Sequence, residues 1–271
     1  MKRLVIFLLV ALIPLMAVPQ DPISRPGKKK QEQVDAQKKK EEQRRKQQEA
    51  EKRRKAEQAR KAKEERERKE REERERLERE EQERKAREAR LQGSHNGYEW
   101  VDLGLSVKWA TCNVGANSPS DYGDYYAWGE TSTKSSYDTD NSKTYGKSMG
   151  NIGGNSSYDV ARYRWGGSWR LPTKAELEEL KTKCTWTWTT QGGHNGYKVT
   201  SKTNGKSIFL PTAGWRDGAS PIYVGESGYY WSSSPHESNT RSAYSLYFYS
   251  SGHDVDWYRR SLGFSIRPVV E

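Results

Sequence analysis

Apolar and polar positions fall into three regimes along the chain. Leu4–Val18 is an unbroken apolar run. Residues 28–92 have no apolar periodicity at all: beyond scattered Ala, the apolar positions are Val34, Leu77 and Leu91. From Tyr98 onward a period of two returns. Val101, Leu103, Leu105, Val107 and Trp109 alternate with polar or small residues, predicting a first strand over Glu99–Ala110. Tyr197–Thr200, Ser207–Leu210 and Gly228–Ser233 also read as strands, and alternation predicts two more at Tyr244–Phe248 and Ser261–Arg267. One helix stands out in Trp169–Cys184. Thr173 and Glu176 form a capping box behind Pro172, and Leu177, Leu180 and Cys184 share a face. Thr111–Ser168, rich in Gly, Ser, Asn, Asp and Tyr, is predicted to be long functional loop. Short strands with one clear helix make an α+β domain.

The middle regime is also predicted to be helical. Lys, Arg, Glu, Gln and Ala are strong helix formers, and neither Gly nor Pro occurs between Lys28 and Gln92. Glu precedes Lys or Arg by four residues at Glu41–Arg45, Glu49–Arg53, Glu57–Lys61, Glu64–Arg68, Glu67–Arg71, Glu70–Arg74, Glu75–Arg79 and Glu80–Arg84. Each pair of this orientation supports a helix by about 0.2–0.5 kcal/mol. A continuous helix here would reach about 98 Å. A coiled-coil seam needs apolar residues every 3.5 positions, and none exists, so a solvated single helix is expected, with a weak Ala-lined oligomer as the alternative. Gly93–Gly97 should break it and act as a hinge.

The apolar run changes the setting. Lys2 and Arg3 precede it and small residues end it near Ala17, as in a secretory signal over residues 1–18, with 19–27 as linker. Fifteen residues reach roughly 22 Å, short of the ~30 Å hydrocarbon core. Pro14 also disfavours a membrane span. Export to the periplasm, cell surface or medium of a bacterium is expected, with an uncleaved anchor as the alternative and the sole membrane attachment. In an oxidising compartment Cys112 and Cys184 could close a loop of about 72 residues, worth about 4 kcal/mol. Two buried free thiols are the competing reading.

Charge narrows the partners. The chain has 271 residues and a net charge of +11. Residues 28–92 hold 27 Lys and Arg against 19 Asp and Glu, a net of +8, whereas residues 93–271 hold 18 against 17. All ten Trp and all sixteen Tyr lie in that near-neutral part. Nucleic acid is therefore not an expected partner of the domain, and interleaved Glu argues against it for the helix.

The motifs VDLGLSVKWATCNVGA (101–116), YGDYYAWGE (122–130), WRLPTKAELEEL (169–180), NGKSIFLPTAG (204–214), GYYWSSS (228–234), SLYF (245–248) and GFSIRPV (263–269) resemble the Fibrobacter succinogenes major paralogous domain. The resemblance covers nearly all of Tyr98–Val270 and none of the charged segment. It implies a C-type-lectin-like fold over residues 98–271, related to the formylglycine-generating enzyme, in a secreted protein with a binding role. It further implies that the domain's two ends lie together, with long loops opposite.

Candidate chemistry is sparse. The related oxidase uses neighbouring cysteines, whereas Cys112 and Cys184 sit just past the first predicted strand and at the helix end. His253, Asp254 and Asp256 could touch Ca²⁺ or Zn²⁺, but a polar loop between strands is the favoured reading. The sugar-binding Glu-Pro-Asn and Trp-Asn-Asp signatures of animal C-type lectins are missing. His236 is expected to be solvated. No cofactor and no catalytic set are expected. Binding rests on aromatics, which supply flat apolar faces with a polar handle. Trp109, Trp169 and Trp231 belong to strand and helix motifs and are expected in the core. Tyr122, Tyr125, Tyr137, Tyr145, Tyr158, Tyr223, Trp257 and Tyr258 sit in polar stretches and are the candidate ligand contacts, a loop chemistry also used by antibodies. The expected function is an exported, non-enzymatic recognition module on a helical stalk, taking glycan or protein. The alternatives are an enzyme related to the formylglycine-generating oxidase, or an envelope spacer with the globule as end-cap.

Because its ion pairs are solvated, the charged helix should lose helicity as salt rises past the physiological range. Circular dichroism of the full chain at increasing ionic strength checks this, and an unchanged signal would refute it.

Overall fold

A computed structural model describes residues 28–271, so the leader expected over residues 1–18 lies outside the described residues. The chain is mixed helix and sheet: one long helix followed by small antiparallel sheets. Among the described residues no helix is long and apolar enough to cross a membrane.

Helix α1 runs over Lys28–Arg90. Its ion pairs follow the orientation rule. Where Glu comes first by four residues the N–O distances are short: 2.7 Å for Glu42–Lys46, 2.6 Å for Glu51–Lys55 and 2.8 Å for Glu81–Lys85. Where the base comes first they lengthen, to 3.5 Å for Arg60–Glu64 and 3.7 Å for Lys63–Glu67. Long side chains lean toward the helix N-terminus, which brings a later Lys back onto an earlier Glu.

The segment expected as a hinge is a strand and a turn. Strand β1 (Gln92–His95) pairs antiparallel with β2 (Tyr98–Val101). Asn96 and Gly97, at φ 49° and 83°, make the two-residue left-handed turn that Asn-Gly favours. It is fastened down: Trp169 Nε1 donates to the His95 carbonyl at 2.8 Å, and the Ser168 amide donates to His95 Nε2 at 2.9 Å. The Tyr98 ring stacks on Trp165 at 4.0 Å.

The single strand expected over Glu99–Ala110 is split into β2 and β3 (Lys108–Ala110). Asp102 accepts the Gly104 amide and Gly104 sits at φ 65°, which turns the chain between them. Strand β12 (Val269–Val270) pairs with β3, giving a sheet ordered β1-β2-β3-β12 that holds both ends of the globule. The long loop Thr111–Ser168 is largely irregular and contains one short helix, α2 (Val160–Trp165), capped by buried Asp159. Helix α3 (Lys174–Lys183) carries the expected Thr173–Glu176 capping box, and Arg170 clamps the same carboxylate at 2.6 and 2.9 Å. Cys184 caps its C-terminus and starts β4 (Cys184–Gln191).

Strand β4 pairs with β5 (His194–Ser201), which pairs with β6 (Ser207–Pro211). A two-stranded ribbon of β7 (Trp215–Asp217) and β8 (Ser220–Ile222) leads to β9 (Ser227–Pro235). The last sheet is ordered β11-β10-β9, with β10 at Ser242–Tyr249 and β11 at Gly252–Arg259. Most of β10 is buried on both faces, so aromatic and aliphatic residues fill it on both sides of Ser245. Trp231 of β9 enters a core with Trp128, Trp165, Trp169 and Phe264. Tyr230, Leu246 and Phe248 enter a second with Trp109, Leu177 and Leu180. Trp109, Trp169 and Trp231 are fully buried, as their motifs indicated.

Ser261–Arg267 is not the expected strand. It is threaded through the interior on single-residue bridges, Phe264 with Tyr126, Gly263 with Arg216 and Ser265 with Tyr230. Its alternation sends Leu262, Phe264 and Ile266 into the first core, while Arg267 bonds to main-chain oxygens. The buried Arg267 guanidinium donates to the carbonyls of Ala110 (3.1 Å), Thr111 (2.6 Å) and Phe209 (2.8 Å) and to Asn113 Oδ1 (2.9 Å). Arg260 is similarly buried over Trp128 at 4.2 Å and bonded to Ser242 and Lys147 carbonyls; burial draws it down to about 10, still charged at neutral pH.

Arg267→Met should cost about 3–5 kcal/mol, because four oriented acceptors lose their donor. Arg267→Lys should recover little, since an ammonium cannot span them. Urea unfolding followed by tryptophan fluorescence reports this unit alone; a loss below about 1 kcal/mol for Met would contradict the role assigned to Arg267.

Candidate functional site

Where β4, β9 and β10 reach their ends, the chain leaves an open cleft of about 600 Å³. Its aromatic walls are Trp188, Tyr223, Tyr229 and Tyr249, and its polar lining includes Asn195, Glu226, Ser227 and Ser250. Strand alternation explains two of the walls. Phe248 points into the core, so its neighbour Tyr249 is turned outward and 48% exposed. Trp186 and Trp188 share a face of β4, and both meet the Tyr197 ring edge-on, at 5.4 and 5.2 Å. Tyr197 Oη donates to the Tyr249 carbonyl at 3.2 Å and so ties the β4–β5 hairpin to the end of β10.

Tyr223 is held differently. It lies in left-handed backbone, φ 54°, with its ring 58% exposed. Its carbonyl accepts the Glu226 and Ser227 amides at 3.1 and 3.0 Å, and the Gly225 amide donates to the Thr212 carbonyl at 2.8 Å. Asn195 Nδ2 donates to the Gly225 carbonyl. A bulky exposed residue kept in an unfavourable backbone region by four bonds is a common mark of a functional position. Behind the cleft, Tyr229 stacks on Tyr247 at 6.2 Å and meets Tyr258 edge-on at 5.4 Å. Burial and neighbouring phenols raise the Tyr229 and Tyr258 hydroxyls above their usual range, so they stay neutral donors.

Of the eight candidate aromatics, Tyr223 alone lines this cleft. Tyr137 belongs to the core: 1% exposed, it donates to the Tyr125 carbonyl at 2.5 Å. Tyr125 is half-buried beneath Arg216 and donates to the Ala213 carbonyl. Tyr122 packs against the His194 ring at 4.4 Å, and Tyr258 lies against Phe264. Tyr145 sits under Arg241. Tyr158 and Trp257 are exposed but away from the cleft lining. Trp188, Tyr229 and Tyr249 were missed. The Thr/Trp alternation of Cys184–Gln191 carried the signal for Trp188 as a strand residue.

His253, Asp254 and Asp256 lie in strand β11, not in a polar loop. Adjacent strand residues point to opposite faces. His253 stacks on Trp186 at 4.3 Å, and burial lowers its proton affinity, with Lys181 adding to the effect. Asp254 pairs with Lys181 at 2.8 Å, and that hydrogen bond holds its carboxyl below the usual range. Asp256 accepts the Trp257 amide. Among the described residues, no group of three or more His, Cys, Asp or Glu is placed to hold a metal ion. His236, expected to be solvated, is packed: its ring stacks on Tyr244 at 5.6 Å and Nδ1 accepts the Ser238 and Asn239 amides.

The possible disulfide is not formed. Cys112 and Cys184 are free, one half-buried beside Thr111 and the other buried beneath α3. Burial pushes the Cys184 thiol up to about 11, leaving little thiolate for nucleophilic or redox work.

Residues 194–269 match a family described as a domain of unknown function, DUF8237. The match runs from β5 to β12 and includes Tyr223, Tyr229 and Tyr249 but not Trp188. No curated protein and no solved structure matches the chain.

Both thiols should be titratable after denaturation without reductant, whereas Cys184 in the native protein should resist iodoacetamide at mildly alkaline pH. Mass spectrometry of alkylated peptides checks both statements. Rapid native labelling of Cys184 would show that its site opens readily.

Proposed function

We propose that this protein is an exported, non-enzymatic recognition module whose cleft binds carbohydrate at the bacterial envelope, carried by its charged helix as a stalk. The observation that supports it is the cleft itself: Trp188, Tyr223, Tyr229 and Tyr249 beside Asn195, Glu226, Ser227 and Ser250. Sugar rings carry apolar C–H faces and a rim of hydroxyls. Exposed indole and phenol rings accept the faces, while amide, carboxylate and hydroxyl groups meet the rim. Trp and Tyr give up little side-chain entropy on binding, which suits them to anchoring roles. The open shape favours a chain segment over a small enclosed molecule.

Two further lines support the reading. The motifs resembling the Fibrobacter succinogenes major paralogous domain point to a lectin-like binding scaffold in a secreted protein. The sheet that holds both ends of the globule fits that scaffold. The buried, largely protonated Cys184 favours binding over oxidase-type thiol chemistry.

The full chain should bind bacterial-envelope oligosaccharides on a glycan array and quench tryptophan fluorescence on titration. Trp188→Ala, Tyr223→Ala and Tyr249→Ala should each weaken binding roughly ten-fold. Tyr158→Ala, also exposed, should have no effect. Silence across the array, with a protein partner recovered by pull-down and lost in the same variants, would replace sugar with protein as the ligand.

A further inference from the structure

The charge of α1 is unevenly placed. Residues 30–63 hold 14 Lys and Arg against 7 Asp and Glu, whereas residues 64–90 hold 11 against 12. The whole excess therefore sits in the first part of the helix. It is uneven around the axis too. At about 100° per residue, Lys30, Lys40, Arg44, Arg54, Lys55 and Lys61 fall within a sector about 140° wide. Within residues 30–63 the one acid in that sector is Glu51, and the other positions are Gln and Ala. The remaining six acids lie outside that sector, Glu32 and Glu41 just beyond its edges and the other four on the opposite side, among Lys and Arg. All these side chains are exposed. Lys55 pairs with Glu51 at 2.6 Å and Lys61 with Glu57 at 2.8 Å. Lys30, Lys40, Arg44 and Arg54 form no ion pair among the described residues.

We propose that this face of α1 docks on a bilayer surface rich in anionic phospholipid. A plane of phosphates is met best by a row of cations on one face, free of competing carboxylates. Gln amides between them can donate to the same oxygens. Each Lys or Arg brought near such a surface contributes about 1 kcal/mol, within a Debye length of about 10 Å. The face has no apolar side chain larger than Ala, so the helix rests on headgroups and does not insert. The apolar run Leu4–Val18 lies a short way upstream, and a leader that partitions into lipid would deliver this segment to the surface. The proposal is independent of what the aromatic cleft binds.

Co-sedimentation of the full chain with vesicles of phosphatidylcholine, alone or with a third of phosphatidylglycerol, tests it. Lys2 and Arg3 of the leader also favour anionic lipid, so the charged face is read by comparing two triple variants that share the same leader. Binding should favour the anionic vesicles and lose that preference in half-molar salt. The triple variant K40Q, R44Q and R54Q should weaken anionic binding roughly a hundred-fold. The triple K38Q, R45Q and K52Q removes the same charge from the opposite face and should weaken it by less than about ten-fold. Gln keeps helix propensity, which circular dichroism confirms for both variants. Equal binding to both vesicle types, equal losses from both triples, or binding to duplex DNA without vesicle preference would each overturn the proposal.

Discussion

Arg267 lies in the interior with no carboxylate beside it, and its charge is met by three main-chain carbonyls and the Asn113 amide oxygen. A buried guanidinium left short of acceptors costs several kcal/mol. All four must therefore arrive together: the end of β3, the loop behind it and the middle of β6, drawn from positions 58 to 157 residues away in the chain. This requirement couples the sheet that holds both ends of the globule to the sheet that begins under α3. Asn113 extends it by donating to the Tyr122 carbonyl, and Tyr230 by donating to the Pro211 carbonyl.

Arg260 plays the same part for the long loop. Its guanidinium lies over Trp128 and takes carbonyls from Ser242, Thr144 and Lys147. Buried Glu130 accepts the Lys143 amide and pairs with Lys134 at 2.9 Å. The loop keeps its shape through such polar anchors and through buried Trp128, Tyr126 and Tyr137, with little secondary structure of its own. The cleft depends on this frame at one remove. Sheet β11-β10-β9 packs against both cores, and Tyr229 and Tyr249 reach the cleft near the ends of β9 and β10.

Helix α1 obeys opposite physics. It buries nothing and is held by solvated pairs four residues apart, so its stability is local and its charge is free to act outward. The globule is near neutral and presents aromatic faces, whereas the helix presents charge. A single chain thus carries two kinds of surface with different responses to salt.

What the sequence determined by itself was local. The Thr173–Glu176 box, the helix of α1 and the buried Trp of the strand motifs rest on interactions within a few residues or on a clear period. By contrast, Glu64, Glu67, Arg68 and Arg84 of α1 pair with partners other than those their Glu-first spacing indicated. Strands β4 and β11 were harder to read because Thr and Asp occupy their outward positions. Tertiary structure decided the rest. Gly93–His95 reads as a breaker yet forms a strand, because Ser168 and Trp169 supply partners from 73 and 74 residues away. Ser261–Arg267 alternates like a strand yet is threaded between cores, because Arg267 must reach its carbonyls. Tyr137 and Tyr223 look alike in polar sequence. One is buried by a bond to the Tyr125 carbonyl and the other is thrust outward by a left-handed backbone. Exposure depends on which distant groups arrive to cover a ring, and no local pattern contains that information.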